Sequence, residues 1–355
     1  MMTNPADHWW APHRQGGPPP RHAERRTLLL ARNRIQRALR EMLDAQDFIE
    51  VDPAGLQVTP SNEAHLHGFA TTAIGNDGAP RQMYLHTSPE FAMKKLLAAG
   101  EVAIYAFAHV WRNRERGRLH SPEFTMLEWY RAGADYTQLM DDTCAMIARA
   151  AQITGAAQLY YNDVACDPYA APERLSVADA FQRYAGIDLL QSIQPDGSTD
   201  AAALARALDQ AGISHCADDT WSDMLSRVLV ARVEPHLGHG RITILDQYPA
   251  AEAALARRLP GDARLSERFE VYTCGVELAN GFGELTDADE QRRRFTAEMD
   301  EKERIYAERY PIDESLLAAL PLMPPTAGIA LGFDRLVMLA TGAPRIDDVI
   351  WTPVE

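Results

Sequence analysis

The sequence has 355 residues, 46% of them hydrophobic and 24% charged, the composition of an ordinary globular chain with room for a sizeable core in one large domain or two. Its formal net charge of −15 argues against a general nucleic-acid binder, which carries a basic surplus. Cys144, Cys166, Cys216 and Cys274 form no CxxC pair and no apolar run approaches about eighteen residues, so zinc-finger, disulfide-framework and membrane-spanning classes are excluded and reduced thiols in the cytoplasm are expected.

Residues 1–24 are rich in Pro, Gly and His, lack an apolar signal core, and read as a mobile arm ahead of one domain over 25–355. From Arg25 to Ala45, Leu28, Ile35, Leu39, Met42 and Leu43 recur at helical spacing. Phe48-Ile49-Glu50-Val51 alternates as a strand that Pro53 ends. TSPEFAMKKLLAAG predicts a short helix after Ser88, with Pro89 in its first turn and Gly100 as its stop. Ala103–Trp111 and the alternating Glu123–Tyr130 predict an antiparallel hairpin whose loop holds a cluster of arginines. A helix is expected over Tyr136–Ile153. The stretch of about 156–240 reads as a helical insertion, with a Ser176/Asp179 cap and helices near 200–211 and 219–234. A strand over Arg241–Leu245 follows. RFEVYTCGVELANGFGELTD then alternates and turns twice at glycine, a charged helix covers 287–309, and AGIALGFDRLVMLATGA is a small-residue strand entering a helix at Asp334. Strands that meet without regular crossover helices predict an α+β fold with a mainly antiparallel sheet.

Several side chains are placed for chemistry. Arg112, where a strand meets a loop, can grip a phosphate through its planar fork, although composition alone favours a solvated hairpin loop. Phe124, Glu128 and Tyr130 share one strand face; there Glu128 suits an ammonium and Phe124 a planar base, or the residues are core and exposed rim. Glu270 and Glu277 are seven apart and converge only if the chain bends at Gly275; converged, they suit Mg²⁺. Gly328, Ala330 and Gly332 share a face that a ligand can approach closely. Arg335 sits at a helix start, where an anion would offset its unfavourable dipole position.

In this order the segments resemble the three motifs of class II aminoacyl-tRNA synthetases, most closely the lysine branch. FIEVDP with its preceding helix is similar to the dimer-forming motif 1, WRNRERGRLHSPEFTMLEWYR to motif 2 and GIALGFDRLVMLATGA to motif 3, while GVELANGFGELTD resembles the lysine-enzyme segment between them. Motif 1 begins too near the start for an anticodon-binding barrel, so the chain resembles the truncated branch that joins lysine or β-lysine to elongation factor P. Ser88 and Ala330, where tRNA enzymes have smaller residues, agree with that branch.

The resemblance implies a class II catalytic domain using ATP and Mg²⁺, with Arg112 and Arg335 as catalytic residues. It implies ATP contacts from Arg112, Asn113, Arg114, His120, Ser121, Phe124, Glu277, Leu278, Gly332 and Arg335. It places Ser88, Pro89, Glu90, Glu128, Tyr130, Asn280 and Glu284 around the amino acid, with Glu128 and Glu284 on its ammonium, and Mg²⁺ on Glu270 and Glu277. A cytoplasmic homodimer without stable tRNA binding is implied. The family pattern Arg-Asn-Glu reads Arg112-Asn113-Arg114 here, and Pro53 stands one place early. Alternatives are a tRNA-dependent or free amino-acid ligase, or a silent paralogue that binds a partner, for which Arg114 speaks.

Overall fold

The computed structural model describes residues 8–11 and 21–354. Helix α1 (Arg21–Asp44) starts four residues before the expected boundary, because Arg25 in its first turns is buried and donates to the carbonyls of Asp348 and Ile350. Of the arm expected over 1–24, residues 1–7 and 12–20 lie outside the described residues.

After α1 come β1 (Ile49–Glu50), β2 (Leu56–Gln57), β3 (Phe69–Ile74), β4 (Pro80–Leu85) and α2 (Glu90–Ala98). The expected hairpin follows as β5 (Ala103–Trp111) and β6 (Glu123–Ala132), antiparallel throughout, from Ala103 opposite Arg131 to Trp111 opposite Glu123. Helix α3 (Thr137–Thr154) closes this half on Gly155, whose φ of 75° is the left-handed stop that glycine adopts without strain.

The stretch 156–240 is not purely helical. β7 (Leu159–Tyr161) and β8 (Val164–Asp167) make a hairpin at Asn162, where φ is +49°, and β9 (Glu173–Ser176) reaches the main sheet. Then α4 (Val177–Ala185), capped by Ser176 as expected, α5 (Ala201–Gln210) and α6 (Trp221–Val228) pack round their own apolar cluster of Phe181, Leu204, Leu208, Trp221 and Leu225. The strand expected over Arg241–Leu245 splits into β10 (Gly240–Arg241) and β11 (Thr243–Asp246). There follow β12 (Arg258–Leu259), β13 (Asp262–Ser266), β14 (Arg268–Thr273), β15 (Val276–Gly283), α7 (Ala288–Tyr306), α8 (Glu314–Ala319), β16 (Thr326–Gly332) and α9 (Phe333–Thr341).

Eight strands form the main sheet in the order β1-β5-β6-β16-β15-β14-β11-β9, antiparallel except for the edge pairs β1·β5 and β11·β9. One face meets α1, α3 and α9 through Leu39, Tyr105, Leu127, Trp129, Ile329 and Phe333. The other holds Ile104, Ala106, Met126, Tyr130 and Ala330 against α2 and α8. Full burial of each large aliphatic or aromatic side chain here stabilises by roughly 1.5–3 kcal/mol.

Candidate active site

Strand alternation builds the floor of a cavity of about 280 Å³ on the α2 side of the sheet. Phe124 and Met126 of β6 and Ala330 and Gly332 of β16 face it, as their shared parity requires. Gly328, one pleat back, has no room for a side chain: a Cβ there would sit 2.3 Å from both Glu284 and the Tyr130 ring.

Glu270 and Glu277 both line this cavity, brought together by the bend expected at Gly275 and by a bulge beside it. Cys274 and Gly275 take φ of +57° and +72°, a tight hairpin turn between β14 and β15. Tyr272 then pairs with Glu277 but Val271 pairs with Ala279, so Leu278 is an extra residue. The bulge re-aims β15 and leaves Glu277 on the cavity wall beside Asn280 and Phe282. The second expected turn is absent: Gly281 and Gly283 continue β15, and Glu284 follows a strand.

One end of the cavity is cationic. Arg112 Nε donates to the Thr87 carbonyl at 3.3 Å, and the guanidinium lies 5.4 Å over the Phe124 ring. Arg335, third in α9, donates to the carbonyls of Leu119 at 3.2 Å and Glu277 at 2.9 Å, and Nη2 donates to His120 Nε2 at 2.8 Å. Burial and the adjacent Arg335 charge push the His120 pKa down, so the neutral ring can accept. Buried Asp334 orients α9: it accepts from the Thr125 amide at 2.7 Å and pairs with Arg32, which fastens the helix to β6. Among the described residues neither Arg112 nor Arg335 makes an ion pair, so both guanidinium groups are held by neutral acceptors and keep their charge.

The other end is acidic. Glu128 is 1% exposed; Ser88 Oγ donates to it at 2.5 Å and the Tyr130 hydroxyl at 3.0 Å, and no cation among the described residues touches it. Burial raises its pKa to about 8, with the nearby Glu90 charge adding to the shift. Glu284, also 1% exposed, differs: Lys94 of α2 lies 2.7 Å from it and 2.5 Å from Glu90. The expectation that Glu128 and Glu284 share an incoming ammonium is therefore narrowed, because the chain already supplies the cation at Glu284.

Glu270 is held from three sides, by Tyr248 at 2.6 Å, Tyr272 at 2.7 Å and Arg268 at 2.7 Å. The Glu277 carboxylate accepts no hydrogen bond among the described residues, and burial together with the Glu270 charge raises its pKa to about 7. Two adjacent hard-oxygen donors, one of them unpartnered, fit a divalent cation.

Of the expected contacts, Arg112, His120, Ser121, Phe124, Glu277, Leu278, Gly332 and Arg335 line the cavity, as do Ser88, Glu90, Asn280 and Glu270. Pro89 caps α2, and Glu128, Tyr130 and Glu284 lie behind the wall. Asn113 and Arg114 do not line it. The Asn113 side chain accepts from the Arg114 amide; Arg114, at φ +65°, turns outward, pairs with Glu308 and covers the Tyr306 ring.

The family model for class II tRNA synthetases (D, K and N) matches residues 20–355. The chain belongs to the class II tRNA synthetase family. Curated relatives of this class II chain include elongation factor P–(R)-β-lysine ligases. That of Pectobacterium carotovorum is 39% identical over 92% of this chain and 95% of its own, and that of Edwardsiella ictaluri is 41% identical over the same shares. The Yersinia enterocolitica ligase is 39% identical over 92% of this chain and 94% of its own.

Arg268 and Glu63 line the cavity wall and Lys94 pairs behind it, but none of the three was expected from the sequence. Arg268 carried a signal, being two residues from Glu270 on one strand and so on the same face. Lys94 reads in sequence as an ordinary helical partner of Glu90, and Glu63 sits in a loop without pattern.

Proposed function

We propose that this chain is an ATP-dependent ligase that activates lysine or (R)-β-lysine as its adenylate and transfers it to a lysine side chain of elongation factor P. The observation that carries this reading is the asymmetry of the site: Arg112 and Arg335, unpaired among the described residues, line one end of the cavity, and Glu128 lies behind the wall beside Ser88 at the other, with no cation on it among the described residues. The relatives named above support the choice of substrate and acceptor.

In this reading the amino acid's ammonium docks toward Glu128 through the Ser88 side, which ionises the carboxyl that burial keeps protonated. Lys94 supplies one positive charge between Glu284 and Glu90, so this end keeps a net negative charge for the ammonium groups of the diamino acid. Adenine lies between Phe124 and Arg335. The substrate carboxylate attacks the α-phosphorus, a P–O bond forms, and pyrophosphate leaves with its electron pair. Arg112 stabilises the charge that grows on the phosphoryl oxygens. Glu277 and Glu270 are the residues that would hold Mg²⁺, which supplies charge neutralisation at the phosphates. Rate enhancement then comes from positioning and electrostatics.

A cytoplasmic homodimer built on α1 and β1, without stable tRNA binding, belongs to the same proposal. The net charge of −15 favours a protein acceptor over tRNA. No helix among the described residues is long and apolar enough to cross a membrane. The silent-paralogue alternative loses its main support, since Arg114 faces Glu308 outside the cavity.

Pyrophosphate exchange with lysine and (R)-β-lysine, followed by parallel transfer to elongation factor P and to tRNA, tests the proposal. Exchange with either amino acid and transfer to the protein are expected. Absence of exchange, or transfer to tRNA alone, overturns it.

A further inference from the structure

A second chamber of about 520 Å³ adjoins the cavity. The two share the walls of Glu63, Leu66, Leu255, Arg268, Asn280 and Phe282, so they lie side by side. The second chamber runs between the start of α6, the loop before β12 and the face of α7, out to the solvent-exposed His65. Its remaining wall carries Asp223, Glu252, Glu298 and Glu301. Such a lining repels a phosphate and attracts a cation.

Glu63 stands where the chambers meet. Its loop is tied down on the far side: Glu298 accepts from the Ala64 amide at 2.8 Å, and the buried Lys302 ammonium donates to the carbonyls of Ala64 at 2.9 Å and Leu66 at 2.7 Å. Four charges lie near the Glu63 carboxylate: Arg112 and Glu90 on the cavity side, and Arg268 and Glu298 toward the chamber. No hydrogen bond or ion pair reaches it among the described residues. Its neighbours are engaged: Glu252 accepts from Ser222 at 3.0 Å, Glu298 holds the loop, and Glu90 pairs with Lys94.

We propose that the second chamber is the path by which the acceptor amine reaches the adenylate, and that Glu63 is the base that takes its proton. The inference rests on the ligase reading above. A lysine side chain arrives as an ammonium, since its ordinary pKa is about 10.4. It sheds one proton to the Glu63 carboxylate, which frees the nitrogen lone pair. The nitrogen attacks the acyl carbon, a C–N bond forms, and the C–O bond to the phosphate breaks with its electron pair leaving on AMP. The second proton leaves the nitrogen as the amide forms and departs with the phosphate or to water. Glu63 returns its proton to solvent along the chamber. Burial and the Glu90 charge raise the Glu63 pKa to about 7, close to the value at which a base works best at neutral pH.

The experiment compares the full-length wild type with Glu63→Gln, measuring pyrophosphate exchange, transfer to elongation factor P, and hydroxamate formation with hydroxylamine, which is uncharged at neutral pH. Per adenylate formed, Glu63→Gln is expected to lose about a hundredfold in transfer to the protein lysine while hydroxamate yield stays within about twofold. The deficit narrows as pH approaches the amine's own pKa. If Glu63→Gln transfers as well as wild type, or loses hydroxamate formation in equal measure, the inference falls and the ligase reading stands. If the wild type itself fails to exchange, the ligase reading falls.

Discussion

The two ends of the cavity hold charge in opposite ways. At the cationic end, Arg112 and Arg335 are aimed by the carbonyls of Thr87, Leu119 and Glu277 and by the neutral His120, so orientation is fixed without neutralisation. At the acidic end, Lys94 supplies one cation between Glu90 and Glu284, and Glu128 is left to hydroxyl groups. The cationic end is prepared for the phosphates of a nucleotide, and the acidic end, with three carboxylates to one ammonium, for a cationic amino acid. A buried charge is retained where a ligand will answer it and paired where none will.

The contrast breaks first at Lys94. Replacing it with Met leaves Glu90 and Glu284 buried without a cation, and a loss of about 3–5 kcal/mol in unfolding free energy is expected by denaturant titration. At the cationic end, Arg335→Ala removes a charge present for the reacting phosphates and should lower kcat/KM for exchange by about 10²–10³, with unfolding midpoints little changed. Glu128→Gln sharpens the comparison. It should raise KM for the amino acid by about 10–100-fold, the worth of one charge-assisted hydrogen bond of roughly 1.5–3 kcal/mol, while KM for ATP holds steady.

The smallest expected effect is on pH dependence. The Glu128 carboxyl is a weaker acid in the folded chain, with its pKa raised from the ordinary 4.5 to about 8. The folded state therefore keeps a proton that the unfolded chain has lost. The stability this contributes is full below pH 4.5 and fades as pH rises through about 8. Between those limits wild type should lose at most about 1.4 kcal/mol per pH unit more than Glu128→Gln. Saturating amino acid should remove that difference, because the ammonium favours the ionised carboxylate.

Local pattern carried much of the molecule into the sequence. The β5–β6 hairpin follows from alternation, and the Ser176 cap follows from backbone chemistry. The face shared by Phe124, Glu128 and Tyr130 follows from a period of two. What was illegible depends on partners far along the chain. Lys94 meets Glu284 across 190 residues, and nothing near either announces the pair. Leu278 becomes a bulge only because Val271 pairs past it. Arg114 sits one residue beyond Asn113 in a loop full of arginines, and only its left-handed backbone turns it away from the cavity. Strands within 156–240 were missed because their two- to four-residue segments are too short for a period to register.

Helix α7 touches both sides of the reaction. Through Glu298 and Lys302 it fastens the loop carrying Glu63, and just beyond its last turn Glu308 takes Arg114, two residues from Arg112. Tyr306 at its end packs 4.6 Å from the His67 ring, and the His67 carbonyl accepts the Asn113 amide at 2.7 Å. One rigid rod thus acts as a shared axle for the wall that receives nucleotide and the wall that receives the amine. A shift of that rod by a fraction of an ångström would retune activation and transfer together, which makes its outer surface the place where the two steps are mechanically yoked.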